Sequence, residues 1–315
     1  MNVRTAFAAT VVVASTTLAA LMPALVNAEA QYRESRADLY RRNLLSGKDV
    51  PCRTNASCAA LGVAALESGR IKEAQTLVGM EAALAEATVM QADEENSPKA
   101  ASSARARVAM ALVHLGDVQV KLGALPDARA YYRTAVGRGD DYPGDALLVR
   151  ATSAARERLD AIDGKAVVKG VPPGGARFTH YLFFGAWNNI EVKPVKGRRG
   201  VYRIDGDFMY PTVGADGRPG ANMGSLSAYV RFYDGVARVP VTVTAGDAPL
   251  EATAKITNLA PYASKEVPQG GDKCLIEFRL PAPEMLDVIT RGSPLACGFG
   301  FNVSADGRYY LMTGS

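Results

Sequence analysis

From residue 31 to about residue 165, apolar positions recur every three or four residues, the spacing of one buried helix face. Leu112, Leu115, Val118 and Leu122 form one such stripe, and Ala128, Tyr131, Tyr132 and Ala135 form the next. The pattern predicts helices over 31–45, 55–68, 71–92, 99–122, 126–138 and 144–162. Pro51, Pro98, Pro126 and Pro143 interrupt it where a helix can begin or a loop can run. After Asp163 the texture changes. "DGKAVVKGVPPGGARF" is a connector rich in Gly and Pro, and beyond it short β-branched and aromatic runs follow at regular spacing. Strands are predicted over 178–184, 189–195, 200–204, 227–233, 238–244, 251–259, 273–280, 296–303 and 309–313. "VPVTVTA" and "CLIEFRL" alternate with the two-residue period of a half-buried strand. Asp216-Gly217, Asp234-Gly235 and Asp306-Gly307 mark turns, the last as a hairpin between "FGFNVS" and "RYYLMT". "PEMLDVITRG" is predicted to add one short helix, and 210–225 a long loop suited to binding. The fold class is therefore α+β in two domains. A helical unit over 29–165 and a linker over 166–175 precede an antiparallel β-sandwich or barrel over 176–315.

Within the helical half one pattern occurs twice. Leu61, Gly62, Gly69 and Ala74 in "LGVAALESGRIKEAQTLV" recur as Leu115, Gly116, Gly123 and Ala128 in "LGDVQVKLGALPDARAYY". Two antiparallel helices need a small residue where they press together, and Gly116 facing Ala128 supplies it. Gly123 ends the first helix in a conformation that costs glycine nothing, Pro126 and Asp127 start the second, and Leu112, Leu115 and Tyr132 fill the space between. This spacing resembles the tetratricopeptide repeat over about residues 55–163. Leu112, Leu115, Gly116, Gly123, Ala128, Tyr132 and Ala135 match that pattern, whereas in the upstream copy Cys58, Val78 and Glu81 replace its usual packing residues. The copies also lie farther apart than the family's period of about 34 residues. The excess is expected in a longer second helix through "MEAALAEATVM" and in the loop at 95–99, and the helix after Pro143 would cap the stack. The resemblance implies a concave surface lined by the first helix of each copy. Ala59, Val63, Leu66 and Glu67 would line it in one copy and Met110, Val113, Asp117, Val120 and Lys121 in the other. Its mixture of apolar and charged groups suits an extended peptide or a partner helix. The opposing expectation is that the β unit or helix 31–45 fills it.

The N-terminus bears on compartment. Arg4 precedes an apolar stretch from Ala6 to Leu25, and Val26-Asn27-Ala28 offers small residues for cleavage, so residues 1–28 read as a signal peptide. Thr10, Ser15, Thr16, Thr17 and Pro23 weaken the alternative of a permanent span, and no later segment approaches transmembrane length. Export makes a bacterial periplasm the expected compartment, with secretion or the cell surface as alternatives. It also makes disulfides the expected state of the four cysteines. Four allow three pairings; the local one, Cys52 with Cys58 and Cys274 with Cys297, keeps each bridge within one unit, and C-x5-C without a nearby His suits zinc poorly. Lys and Arg total 36 against 32 Asp and Glu, with no basic block, so no electrostatic footprint for nucleic acid exists.

Candidate chemistry is sparse. No H-E-x-x-H, P-loop or dinucleotide fingerprint occurs. His180 could anchor a Ser-His-Asp site, but no G-x-S-x-G elbow accompanies it, and His114 lies on a repeat helix. Asp205-Gly206-Asp207 lacks the remaining ligands of a calcium loop. Trp187, near Tyr181, Phe183 and Phe184, reads as core or as a sugar-stacking platform. No cofactor or metal is expected. The expected function is a non-enzymatic adaptor that binds another envelope or secreted protein; the alternative is a glycan- or peptidoglycan-binding β unit with the helices as its dock.

Overall fold

The computed structural model describes residues 35–46, 51–165, 167–168, 170–183, 185–242, 273–292, 297, 299 and 302–313. Among these residues six helices come first: α1 (Arg36–Leu45), α2 (Asn55–Glu67), α3 (Ile71–Glu94), α4 (Pro98–Lys121), α5 (Leu125–Asp141) and α6 (Ala146–Ile162). Their starts are chemically marked. The Ser35 and Asp145 side chains accept from the amides of Asp38 and Leu148, Thr54 and Ser57 form a capping box, and Pro98 opens α4. The two expected turn glycines behave alike. Gly69 and Gly123 have φ of 77° and 75°. Arg70 N–H donates to Ala65 O and Gly69 N–H to Leu66 O, and Ala124 and Gly123 repeat this with Gln119 and Val120. Each is a Schellman stop.

The helices pair as antiparallel hairpins, α2 with α3 and α4 with α5, and glycine sets the approach in both. A methyl group added at Gly116 would lie 2.3 Å from Tyr132 Cε1, and one at Gly62 would lie 2.8 Å from Val78 Cγ2. Ala74, Ala128, Val78 and Tyr132 are buried opposite them. The copies differ at their leucines: Leu115 is half-buried, whereas Leu61 is 42% exposed.

Among the described residues, the second unit is one antiparallel sheet of eight strands: β1 (Ala176–Tyr181), β2 (Trp187–Pro194), β3 (Tyr202–Val213), β4 (Pro219–Val230), β5 (Val236–Thr242), β6 (Lys273–Arg279), β7 (Met285–Arg291) and β8 (Gly307–Met312). The order β4-β3-β2-β1-β8-β7-β6-β5 makes two meanders joined by the β1–β8 ladder, a nearly closed barrel open between β4 and β5. Alternate residues point inward, among them Phe178, Ile190, Val192, Ile204, Phe208, Leu226, Val239, Ile276, Phe278 and Val288. Both cysteine pairs are bridged locally, Cys52 to Cys58 and Cys274 to Cys297.

Four expectations differ from the structure. Residues 285–291 form β7 rather than a helix, because Leu286 and Val288 alternate into the barrel and the ladders of β6 and β8 satisfy the backbone. The described residues of 296–303 are not in a strand; among them Cys297, Phe299 and Val303 enter the core. Asp306-Gly307 therefore turns no hairpin. Asp306 instead accepts from the Thr290 amide at 2.5 Å, and β8 pairs with β1 and β7. Residues 210–225 are not a long loop but the outer ends of β3 and β4 around a short turn at 214–218. The expected strand at 251–259 and the leader at 1–28 lie outside the described residues.

The units meet where α5 lies on β8 and β1. Arg129 and Glu284 pair there, each side chain 1% exposed. Arg129 Nε and Nη2 donate to the two Glu284 oxygens at 2.5 and 2.7 Å, and Nη1 donates to Lys165 O at 2.9 Å. Glu284 also accepts from the Val168 amide at 3.1 Å. Its φ of 61° is one that side chains larger than glycine rarely adopt. Asp127 accepts from the Thr313 amide and hydroxyl, and Arg133 stacks over Tyr310.

Truncation of Glu284 would leave Arg129 charged and buried with no carboxylate. Glu284→Ala is expected to lower unfolding free energy by about 3–5 kcal/mol in urea titration; a loss under about 1 kcal/mol would show that the seam does not depend on the pair. Gly116→Ala is expected to cost about 1–3 kcal/mol in the same assay, since Tyr132 must move.

Candidate functional site

α3 and α4 run antiparallel, joined by a short turn, and leave a furrow between them. Glu86, Val89, Met90 and Asp93 follow one face of α3, and Arg105 and Val108 one face of α4. The barrel covers this furrow without filling it. β3 pairs with β2 only from Tyr202 to Asp207 but with β4 through Val213. The outer ends of β3 and β4 thus leave the barrel as a two-stranded ribbon over the helices. Its turn reaches α1: Asn43 Nδ2 donates to Asp216 O at 3.0 Å, and a methyl group at Gly217 would lie 2.3 Å from Leu39 Cβ. The space enclosed is a cleft of about 720 Å³, the size of a small-ligand or short-peptide site. Val89, Met90 and Val108 give it an apolar floor, and Tyr142, Phe183 and Tyr210 stand at its walls.

The ribbon's inner edge is blunted. Gly214 N–H donates to Arg218 O, which fixes the alternation of the ladder, and Met209 N–H accordingly points away from β4 to Asn188 Oδ1. The same alternation turns Pro211 toward the edge away from β4, where it offers a pairing strand no N–H donor.

Most charges around the cleft are already engaged. Arg36 Nε lies 3.1 Å from Glu94. Buried Glu86 accepts from the Tyr181 hydroxyl, whose pKa is pushed well above its ordinary value by burial and by the adjacent carboxylate. Arg138 donates to Leu182 O and stacks over Tyr181. Arg105 differs. Its guanidinium lies 4.5 Å above the Tyr142 ring, its one ion pair, with Asp145, is long at 3.5 Å, and its buried Nε has no hydrogen-bond partner. Asp145 is committed elsewhere: Ser102 donates to it at 2.6 Å and it caps α6 through Leu148. The Ser102 hydrogen bond leads the effects that hold its carboxyl below the usual range.

The sequence-predicted groove residues do not converge on one opening. Val113 is fully buried beside Leu112, Tyr132 and Ala155, and Val120 packs on the same cluster. Asp117 accepts from Tyr132 Oη and Arg158 Nε, both at 2.7 Å, and so lies under α6. Met110 is half-buried and Lys121 exposed. On α2, Ala59, Val63 and Leu66 are half-buried, Leu66 packs on the core beside Cys52 and Cys58, and Glu67 is exposed. The cleft residues escaped sequence reasoning. The Glu86–Asp93 row is legible as a helix face, but nothing local says that residues 210–213 stand over it.

The other candidates are placed plainly. Trp187 lies in the seam, edge-on to Tyr131 and Tyr181 at 5.4 and 4.8 Å between centroids. Asp205 accepts from Arg203 and Ser227. His114 Nδ1 lies 2.9 Å from Glu81, tying α4 to α3. His180 Nδ1 donates to Arg308 O at 2.9 Å, and its ring lies against Gly307 and Tyr309. Among the described residues no cluster of three metal-ligating side chains occurs, and no helix is long and apolar enough to cross a membrane. Comparison with protein families, with curated proteins and with solved structures finds no match. Fold and cleft together define an α+β protein with a ligand-sized opening at the seam of its two units.

Burial, and secondarily Arg138, lowers the His180 pKa from 6.5. The folded state then resists a proton that the unfolded chain accepts, so stability falls as pH drops through about 6.5 and is regained above it. Unfolding free energies measured between pH 5.5 and 7.5 are expected to show this slope, and His180→Asn to flatten it. An unchanged slope in the variant would contradict the assignment.

Proposed function

We propose that this chain is an exported, non-enzymatic adaptor of the bacterial envelope that holds an extended segment of another exported protein in the cleft between its helices and its barrel. The cleft carries this reading: an apolar furrow, aromatic walls and an under-satisfied arginine surround a space of about 720 Å³. Such a mixture of apolar surface and a few oriented polar groups is how ligand sites obtain affinity and specificity together. On this reading the glycine-notched hairpins α2–α3 and α4–α5 are tetratricopeptide-like units whose long second helix, α3, supplies the furrow. Two disulfides suit an oxidising compartment, and residues 1–28 would direct the chain to the periplasm. The glycan reading has less support, because Trp187 spends its ring contacts within the seam.

Met90 is half-buried on the cleft floor, so Met90→Glu places a charge there without entering a core. Capture of a partner from an envelope extract by the full chain is expected to drop at least tenfold in this variant, with its unfolding midpoint little changed. Undiminished capture would refute the cleft as the binding surface.

A further inference from the structure

Among the described cations lining the cleft, Arg105 is the one with a buried guanidinium nitrogen that has no acceptor. An arginine carries five N–H donors in a rigid fork that matches a carboxylate. Arg105 has a single long contact to Asp145 and a buried Nε without an acceptor, while its guanidinium is held in place over Tyr142. The side chain keeps 21% of its surface exposed, so an incoming anion can reach the terminal guanidinium nitrogens, whose one hydrogen bond is the long contact to Asp145. The acids nearby do not meet this demand. Glu86 is bonded to Tyr181, Glu94 to Arg36, and Asp145 to Ser102 and the Leu148 amide, while Asp93 sits exposed at the rim.

Val108 lies one turn further along α4, so Arg105 presents its charge beside the apolar floor formed with Val89 and Met90. A ligand that satisfies both must carry an anion next to an apolar group. In an extended peptide, consecutive side chains point to opposite faces and the next side chain on the same face lies two residues, about 7 Å, further on, so an internal acidic residue does not set an apolar side chain directly beside its charge. A chain terminus does not have this constraint, because its α-carboxylate is attached to the same residue as the last side chain.

We propose that the cleft recognises the C-terminus of its partner, with the terminal carboxylate on the Arg105 guanidinium and an apolar last side chain on Val89, Met90 and Val108. This rests on the adaptor reading of the cleft and adds the chemistry of the segment it takes.

The test is fluorescence anisotropy of the full chain with labelled hexapeptides ending in leucine, prepared as the free acid and as the terminal amide, and with an amide peptide carrying an internal aspartate. The free acid is expected to bind at least tenfold more tightly than either amide. Arg105→Gln should remove the difference and Arg105→Lys should restore part of it, with urea unfolding showing both variants folded. Equal binding of acid and amide, or a preference that survives Arg105→Gln, would overturn terminal recognition. The cleft reading would then stand if Met90→Glu still abolished binding of all three. Tightest binding by the internal aspartate peptide would reassign the anion to a side chain and overturn the terminal claim. Absence of binding by any probe at millimolar concentration would overturn the cleft reading and this inference with it.

Discussion

The architecture depends on the ion pair between Arg129 and Glu284. Taking both charges out of water carries a penalty that mutual attraction alone does not offset. The surroundings therefore matter: two Arg129 nitrogens meet the two carboxylate oxygens, a third meets Lys165 O, and the Val168 amide completes Glu284. The pair is directional, because a planar guanidinium and a planar carboxylate align in few ways. Glu284 stands in a left-handed backbone conformation at the turn before β7, and its own carbonyl accepts from Leu311 of β8. The position of α5 on the barrel is thereby set to within a hydrogen bond's tolerance, and Asp127 with Thr313 repeats the constraint one strand end away.

From that fixed point the cleft follows. α4 and α5 are packed through Gly116 and Tyr132, so fixing α5 fixes α4 and, through the hairpin contacts, α3. On the other side, β3 and β4 outrun β2 and must cross the helices. The close fit of Gly217 against Leu39 stops the ribbon at α1 rather than letting it collapse onto the furrow. An opening persists because both of its walls are held elsewhere: the helices by the seam, and the ribbon by its turn.

The local chemistry of the chain was readable from its residues. Helix periodicity, the proline starts and the two Schellman glycines depend on neighbours within a few residues, and the cysteines pair within their own units, six and 23 residues apart. Elements set by non-local contacts were not readable in this way. "MLDVITR" is neutral between helix and strand until β6 and β8 flank it. Cys297, Phe299 and Val303 supply side chains to the barrel core although none of them lies in a strand. The tetratricopeptide resemblance implies an inner helix face for Val113 and Asp117, yet α6 lies over them. The cleft was the least legible part, because its floor near residues 86–108 and its ribbon near 210–213 are brought together only by the seam.

The central claim is that the helical and barrel units form one body with the cleft held between them. The chain's single tryptophan, Trp187, lies in the seam and reports on it directly. The decisive measurement is thermal unfolding of the full chain followed in parallel by Trp187 emission and by far-ultraviolet circular dichroism at 222 nm, a signal dominated by the helices. The account predicts coincident transitions. A loss of the Trp187 signal well below the helical melt would mean that the units part while still folded, and would contradict it.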